Sequence, residues 1–158
     1  MMLGEIEMTE YVSFTTAGQL FGLPIECVQD VFTLGNLTPV PLAGRDVAGV
    51  LNLRGRIVTV IDLANRLQLA AGTDAGAQMV IGIERGSESF GFLVDRVAEV
   101  LSLADDDREP TPINLDPTLN VVATGLFRLD DKLLVALDPD RTLDLPNSRR
   151  SRSKDVTI

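Results

Sequence analysis

The 158-residue sequence contains no histidine and no tryptophan, and it contains a single cysteine, Cys27. The absence of histidine removes the commonest general base and the commonest transition-metal ligand, so Ser/His/Asp, Cys/His and histidine-ligated zinc sites cannot be built. The glycine motifs that bind nucleotide phosphates are also missing. One cysteine cannot form an intrachain disulfide, which fits a reducing compartment. The sequence therefore disfavours an enzyme and implies no cofactor and no metal.

Aromatic residues are scarce, at 4% of the chain, whereas hydrophobic residues make up 45%. The core must therefore consist mainly of Val, Leu, Ile and Ala, and a chain of this length can form one ordinary domain or two small ones packed together. No apolar run approaches the roughly 20 residues that cross a bilayer, and the acidic N-terminus is unlike a signal peptide. We expect a cytoplasmic protein without direct membrane insertion.

Basic residues are in the minority, since 14 Lys and Arg stand against 23 Asp and Glu, for a formal net charge of −9. A surface of this charge repels polyanions, which excludes general binding to nucleic acid or anionic membranes. A partner with a basic face fits better. The run Asp105, Asp106 and Asp107 lacks the spaced ligands and the glycine of a calcium loop, so we interpret it as a solvated acidic loop.

The pattern that is present is that of short strands. Residues 11–15 and 57–63 follow the period-two pattern of half-buried strands, and Gly and Pro recur at short intervals between residues 18 and 55. This rhythm favours an all-β fold, either a barrel or an open sandwich.

An internal repeat organises these strands. Residues 21–34 align without a gap with residues 90–103, and residues 49–67 align with residues 125–143 in the same order. Each copy has about five strands and is too small to bury much surface alone. We therefore predict two small barrels, related by a pseudo-twofold axis, with one subdomain at about 11–68 and the other at about 79–143.

The remaining segments are predicted to link or flank the two subdomains. Residues 69–78 are rich in Ala and Gly and are predicted to link the two subdomains. Residues 1–10 and 148–158 are predicted to be flexible tails. Helix is expected to be scarce, with a turn or two from Ala64 and a short 3₁₀ turn at residues 138–141.

The stretch NLRGR, residues 52–56, is predicted to be a hairpin turn, with a positive φ at Gly55. Its counterpart in the second copy is RLDDK, in which Asp130 stands where the first copy has Arg54. Turn geometry alone does not require an arginine there. Arg54 is therefore a candidate binding residue, because its planar guanidinium can engage a carboxylate.

Two other candidates have plainer interpretations. Asp30 and Glu99 occupy matched positions in the repeat, and a catalytic pair of carboxylates would require them to converge across the pseudo-twofold axis. We interpret them instead as solvent-facing acids on strands. Cys27 has no basic neighbour in sequence and is predicted to be a nonreactive thiol.

Four collinear motifs resemble the CheW family of bacterial chemotaxis adaptor proteins. They are VQDV at residues 28–31, GVLNLRGRIVTVIDL at 49–63, FGFLVDRVAEVLSL at 90–103 and TGLFRLDDKLLVALD at 124–138. The resemblance implies a single domain over residues 11–147, made of two SH3-like five-stranded barrels with a hydrophobic groove between them. It also implies a non-enzymatic adaptor that couples the cytoplasmic tips of chemoreceptors to the histidine kinase CheA, through the regulatory domain of the kinase. Such a protein would be monomeric when free and recruited from the cytoplasm to membrane-associated arrays.

The resemblance also assigns residues to the two partners. The receptor-facing positions would be Val28, Asp30, Arg54, Met79, Val97 and Val100. Gly49 matches a position associated with kinase binding, although a backbone requirement would explain a glycine equally well.

Residues 109–114, EPTPIN, depart from the family pattern because they lack its basic and aromatic residues. The aromatic contact by which family members join kinases into rings would then be missing. Asp30, where the family more often has Glu, is a milder change.

Two alternatives stay open at this stage. One is an adaptor of a pathway that controls something other than motility, or a free-standing relative of the kinase's regulatory domain. The other, more distant, is a small ligand-binding or hydrolytic double barrel, which would need a pocket with convergent polar groups.

Overall fold

The computed structural model of the protein describes residues 6–69, 78–112 and 115–146. Within these residues there are ten β-strands, three short α-helices and two 3₁₀ turns. The strands are β1 (Met8–Thr16), β2 (Gln19–Pro24), β3 (Val28–Thr33), β4 (Val47–Leu53), β5 (Arg56–Asp62), β6 (Met79–Arg85), β7 (Glu88–Val94), β8 (Arg96–Ala104), β9 (Ala123–Leu129) and β10 (Lys132–Leu137). The helices are α1 (Leu63–Arg66), α2 (Pro117–Val122) and α3 (Pro139–Leu143), and the 3₁₀ turns are Ile25–Cys27 and Asp105–Asp107.

The strands form two five-stranded sheets. We call the sheet with strand order β8-β1-β2-β10-β9 the first barrel and the sheet with order β3-β6-β7-β5-β4 the second barrel. Isolated bridges from Glu109 to Leu126 and from Thr38 to Val50 tie the segment after β8 to β9 and the segment after β3 to β4, so each sheet closes on itself. The predicted fold class, two SH3-like five-stranded barrels with little helix, is confirmed.

Each barrel takes strands from both copies of the repeat. When every strand of the first barrel is replaced by its repeat equivalent, the strand order of the second barrel results, which is the pseudo-twofold relation predicted. The assignment of residues 11–68 and 79–143 to separate barrels is nevertheless wrong. A strand that is exchanged between two equivalent units meets equivalent neighbours. Its apolar pattern therefore does not indicate which copy supplies the partner strand. The limits of the whole domain, 11–147, stay a prediction.

Strands of different copies pair at four places, antiparallel in β1 with β8 and β3 with β6, and parallel in β2 with β10 and β5 with β7. The Phe-Gly pairs of the repeat lie in the two parallel pairs, and both glycines are needed for close packing. A Cβ on Gly22 would lie 3.0 Å from Leu134 Cδ2, and one on Gly91 would lie 2.4 Å from Val80 Cγ1. The most recognisable feature of the repeat therefore marks the strands that interlock the two copies.

Three apolar clusters fill the molecule. Tyr11, Phe127 and Leu134 belong to the interior of the first barrel, and their repeat equivalents Val80, Leu51 and Val58 belong to that of the second. The largest cluster, which we call the inter-barrel core, joins the two sheets. Its members include Phe14, Phe21 and Leu23 from the first barrel and Ile61, Ile81 and Phe92 from the second.

The helix after β10 differs from the prediction. Residues Pro139–Leu143 form an α-helix instead of a 3₁₀ turn. Asp138 caps it by accepting hydrogen bonds from the backbone N–H groups of Asp140 and Arg141, and Thr142 N–H donates to Asp138 O. Pro139 at the first helical position is preorganised for a helix. The expected helix after β5 is present as α1, and Asp62 caps it in the equivalent way.

The β4–β5 hairpin turn holds Arg54 in an unfavourable backbone conformation. Arg54 has φ of 53° and Gly55 has φ of 83°, so both central residues are left-handed, as in the two-residue turns of twisted hairpins. Asn52 Oδ1 accepts a hydrogen bond from Gly55 N–H at 2.9 Å. The matching Asp130, with φ of 37°, is a residue type that tolerates this region better. The turn therefore opposes an arginine at position 54 rather than merely not needing one.

The replacement Arg54→Asn is expected to leave the free energy of unfolding unchanged or to raise it by up to about 1 kcal/mol, because asparagine adopts positive φ at less cost. Urea denaturation followed by circular dichroism measures this. Arg56→Asn is the control in the same hairpin, where the residue lies in β5 and no gain is expected. A loss of more than about 0.5 kcal/mol in Arg54→Asn would show that Arg54 stabilises the turn.

A buried ion pair lies within the first copy of the repeat, and its arginine also donates hydrogen bonds to the second copy. Arg66 Nε donates to Asp46 Oδ2, and the two side chains are 6% and 1% exposed. Arg66 Nη1 also donates to the carbonyl oxygens of Thr142 and Leu143, at 3.1 and 3.0 Å. The repeat equivalents of Asp46 and Arg66 are Val122 and Thr142, so the pair exists in one half only. It ties α1 and the segment before β4 to the end of α3.

Removing one partner of this pair leaves the other charge buried without its counter-ion. Asp46→Ala is therefore expected to lower the free energy of unfolding by roughly 3–5 kcal/mol, and Asp46→Ala combined with Arg66→Met to lower it by clearly less than the sum of the two single changes. Chemical denaturation of the native protein, the two single variants Asp46→Ala and Arg66→Met, and the double variant gives the coupling energy. Simple additivity of the two changes would contradict a stabilising pair at this place.

Candidate functional site

Three of the predicted receptor-facing residues lie along the junction of the two barrels. Val28 in β3, Met79 in β6 and Val97 in β8 are half-buried, and all three pack against the inter-barrel core. Val28 and Val97 are repeat equivalents, so they approach this core from the two barrels in related ways. The structure brings these three half-buried side chains to one core, and we call the three together the groove.

Asp30 and Arg54 flank the groove on the second barrel. Arg54 Nη1 lies 3.3 Å from Asp30 Oδ2, and the side chains of Arg54 and Asp30 are 76% and 33% exposed. An ion pair this exposed contributes at most about 1 kcal/mol to stability. Its consequence is geometric, since it holds the β4–β5 turn beside β3 and orients a guanidinium group that remains open to solvent.

Val100 is placed differently. It is 51% exposed on β8, opposite Val12, and it does not belong to the set that packs on the inter-barrel core. Its repeat equivalent, Val31, is also exposed, at 40%. Val31 is therefore a candidate contact residue that the sequence analysis missed, although the alignment of the two copies was sufficient to find it.

Gly49 has a structural reason to be glycine. Its φ is +151°, and a Cβ there would lie 2.7 Å from the carbonyl oxygen of Thr38. Gly125, its repeat equivalent, is similarly crowded, since a Cβ would lie 3.2 Å from Glu109 O and 2.4 Å from Arg108 Cγ. Both glycines let the closing segment of a barrel approach its edge strand. The backbone requirement is thus sufficient to explain Gly49, and its role in kinase binding stays a prediction.

The open end of the second barrel carries a ring of polar side chains, which we call the second-barrel mouth. Arg56 Nη1 donates to Glu84 Oε2 at 3.0 Å and to Ser89 Oγ at 3.2 Å, and Gln29 Nε2 donates to Glu84 Oε1. Asp30 lies on the same rim. The depression inside has a volume of only about 20 Å³, and its apolar lining residues include Phe32, Leu53 and Val58. Sequence analysis missed Glu84, Gln29 and Ser89, because no motif links them to the hairpin.

The first barrel has an equivalent open end, which we call the first-barrel mouth. Leu20, Leu101 and Leu129 line a wider depression of about 630 Å³. Its charged lining residues are the acids Glu99, Asp130 and Asp131 and the bases Arg128 and Lys132. Asp30 and Glu99 therefore lie at the mouths of different barrels. The structure does not bring the two carboxylates together, so it gives no support to a catalytic pair.

The other acidic and nucleophilic groups have local explanations. Asp105 accepts a hydrogen bond from Thr9 Oγ1 at 2.8 Å and lies 3.7 Å from Arg108 Nη2. Within residues 6–69, 78–112 and 115–146, no cluster of three or more possible metal ligands occurs. Burial, followed by the charges of Glu26, Asp138 and Asp140, raises the pKa of the Cys27 thiol. A raised pKa lowers the thiolate fraction at neutral pH, which agrees with the predicted nonreactive thiol.

The segment that departs from the family pattern is anchored at its first residue. Glu109 pairs with Arg128 through two hydrogen bonds of 2.9 and 3.2 Å, and this hydrogen bonding lowers the pKa of the Glu109 carboxyl. Ile113 and Asn114 lie outside the described residues. So do most of the predicted linker and all of the predicted C-terminal tail, residues 148–158. No helix among the described residues has the length and apolar character needed to span a membrane.

Comparison with known proteins gives a consistent result. The family model of the CheW-like domain matches residues 10–147. The chemotaxis protein CheW of Thermotoga maritima is 30% identical over 135 residues, which cover 85% of this chain and 87% of that protein. The chemotaxis protein CheW of Rhizobium meliloti is 28% identical over 131 residues, with 83% and 84% covered. The crystal structure of the scaffolding protein TtCheW from Thermoanaerobacter tengcongensis superimposes with a TM-score of 0.74 at 27% identity, covering 87% of this chain and 89% of that one. With its two closed barrels and this match over most of its length, the chain belongs to the CheW-like domain family.

Proposed function

We propose that the protein is a chemotaxis adaptor that couples the cytoplasmic tip of a chemoreceptor to the histidine kinase CheA without catalysing a reaction. The observation that carries this proposal is the groove, in which Val28, Met79 and Val97 pack half-buried on one core, with Asp30, the partner of Arg54, on the strand that carries Val28. The chemotaxis names of its relatives and the scaffold role of the similar structure support the same adaptor function.

The groove suits a helical partner. An amphipathic helix binds by inserting its apolar side chains into a hydrophobic groove, and polar residues at the rim fix its orientation. Val28, Met79 and Val97 offer apolar surface that is already supported from behind by the inter-barrel core. Such preformed surface costs little ordering on binding. Arg54 then contacts the polar side of the receptor helix.

The kinase is proposed to bind elsewhere, at the barrel edges around β4. Gly49 lies in β4 at a register shift between Val47 and Gly49 in the pairing with β5, and the segment at Thr38 contacts the backbone of Val50. A regulatory domain of the same fold could pack against this region barrel to barrel. Individual contacts of this kind are expected to be modest, and many copies in one array reinforce them.

A hydrolytic double barrel is less well supported. The polar groups of the second-barrel mouth are engaged with one another, as Arg56 is with Glu84, instead of converging on a free position. The proposed adaptor needs no cofactor or metal, is monomeric when free, and reaches membrane-associated arrays from the cytoplasm through its protein partners. An adaptor of a non-motility pathway would share this geometry, and neighbouring genes would distinguish the two.

Val28→Asp and Arg54→Glu are expected to weaken binding to a soluble chemoreceptor-tip fragment at least about tenfold, because each places a carboxylate in the contact. Binding to the kinase regulatory domain is expected to persist. Isothermal titration calorimetry on folded variants measures both affinities.

Matched controls are available on surfaces away from the groove. Val121 is 53% exposed on α2, and the Arg128 side chain is 70% exposed on β9, so Val121→Asp and Arg128→Glu make the same changes elsewhere. If Val28→Asp and Arg54→Glu bind the receptor fragment with native affinity, the groove is not part of the interface. A native protein that binds neither receptor fragment nor kinase domain would refute the adaptor function itself.

A further inference from the structure

Arg56 and Arg54 lie on the same rim, and each is paired with an acid on a strand that is not adjacent to its own hairpin in the sheet order. Arg56 Nη1 contacts Glu84 Oε2 at 3.0 Å, and Arg54 Nη1 contacts Asp30 Oδ2 at 3.3 Å. Glu84 and Asp30 lie on β6 and β3, so the two ion pairs bind the hairpin to different strands. Because both arginine side chains are tethered, both guanidinium groups are restrained before any partner arrives.

The arginines retain unused hydrogen-bond donors. A guanidinium group has five N–H donors, and among the hydrogen bonds of the described residues Arg54 and Arg56 use Nη1 alone. The arginine side chains are 76% and 51% exposed, whereas those of Asp30 and Glu84 are 33% and 37% exposed. The acids therefore lie deeper and already accept hydrogen bonds, while the outward surface of the mouth consists of cationic donors.

The first-barrel mouth provides an internal comparison. The repeat equivalents of Arg54 and Arg56 are Asp130 and Lys132, and those of Glu84 and Gln29 are Thr15 and Ala98. The same backbone therefore presents an aspartate and a lysine at the turn of the first barrel and two arginines at the turn of the second. With Asp30 and Glu84, the rim of the second-barrel mouth carries two positive and two negative charges, so it is locally neutral in a chain of net charge −9, and its guanidinium groups are the more exposed members.

We propose that Arg54 and Arg56 form a paired guanidinium site that selects a receptor helix bearing carboxylates. The carboxylates accept from the unused Nε and Nη2 donors, where charge-assisted and bidentate pairs are strong. This inference rests on the proposed function and deepens it, because it makes Arg56 a specificity-determining residue and states the chemistry of the partner.

The test measures binding of a soluble chemoreceptor-tip fragment at salt concentrations of about 0.05 and 0.3 M, where screening differs substantially. Arg56→Ala is expected to weaken binding about tenfold at low salt and to flatten its salt dependence. Arg56→Lys is expected to recover only part of the loss, because a lysine keeps the charge without the planar fork. Arg128→Ala is the control, since Arg128 is a similarly exposed and paired arginine on the other barrel.

The outcomes separate this inference from the function on which it rests. Receptor binding by Arg56→Ala with native affinity and native salt dependence would overturn the inference, and so would an equal loss in Arg128→Ala. If the native protein fails to bind the receptor fragment at either salt concentration, the proposed function fails instead. Binding to the kinase regulatory domain should be the same in all these variants, which also shows that they are folded.

Discussion

The structure depends on the inter-barrel core. Phe14 and Phe21 from one sheet and Ile81 and Phe92 from the other are almost completely buried in it, and the strands that carry them also form the interiors of the two barrels. Because each barrel contains strands of both repeats, neither can leave the other without exposing this core. The groove is the edge of the same core. A partner that binds there meets apolar side chains whose positions are fixed by packing on the far side.

The proposed binding site lies where the two copies differ. The pseudo-twofold relation gives equivalent strands, turns and closing segments to both barrels, yet Arg54 faces Asp30 in one half and the equivalent turn carries Asp130 in the other. The buried pair of Asp46 and Arg66 likewise has apolar and neutral counterparts, Val122 and Thr142. The repeat gives both barrels the same backbone arrangement. Residues that differ between the two copies give each barrel different side-chain chemistry. The strained backbone of Arg54 is consistent with this division, because the turn itself would favour another residue.

The sequence was sufficient to predict what is local or repeated. Period-two patterns and glycines give the strands and hairpins, and the alignment of residues 21–34 with 90–103 gives two equivalent barrels. It did not predict that strands are exchanged, because a strand such as β2 meets equivalent neighbours in either arrangement. In the site, Val28, Met79 and Val97 pack on one core, and their receptor-facing role stays a prediction. Glu84 was missed because its contact with Arg56 spans two strands distant in sequence, and surface acids on strands have no distinguishing pattern.

Strand exchange is the central claim, since the shared core and the groove both follow from it. It is tested most directly by producing residues 1–73 and 74–158 as separate polypeptides and recording the amide NMR spectrum of each alone and of their mixture. We predict that neither half folds as a monomer, because each lacks strands of both barrels, and that the mixture gives the dispersed spectrum of the intact chain. A well-dispersed spectrum from either half alone, at the mass of a monomer, would contradict the account.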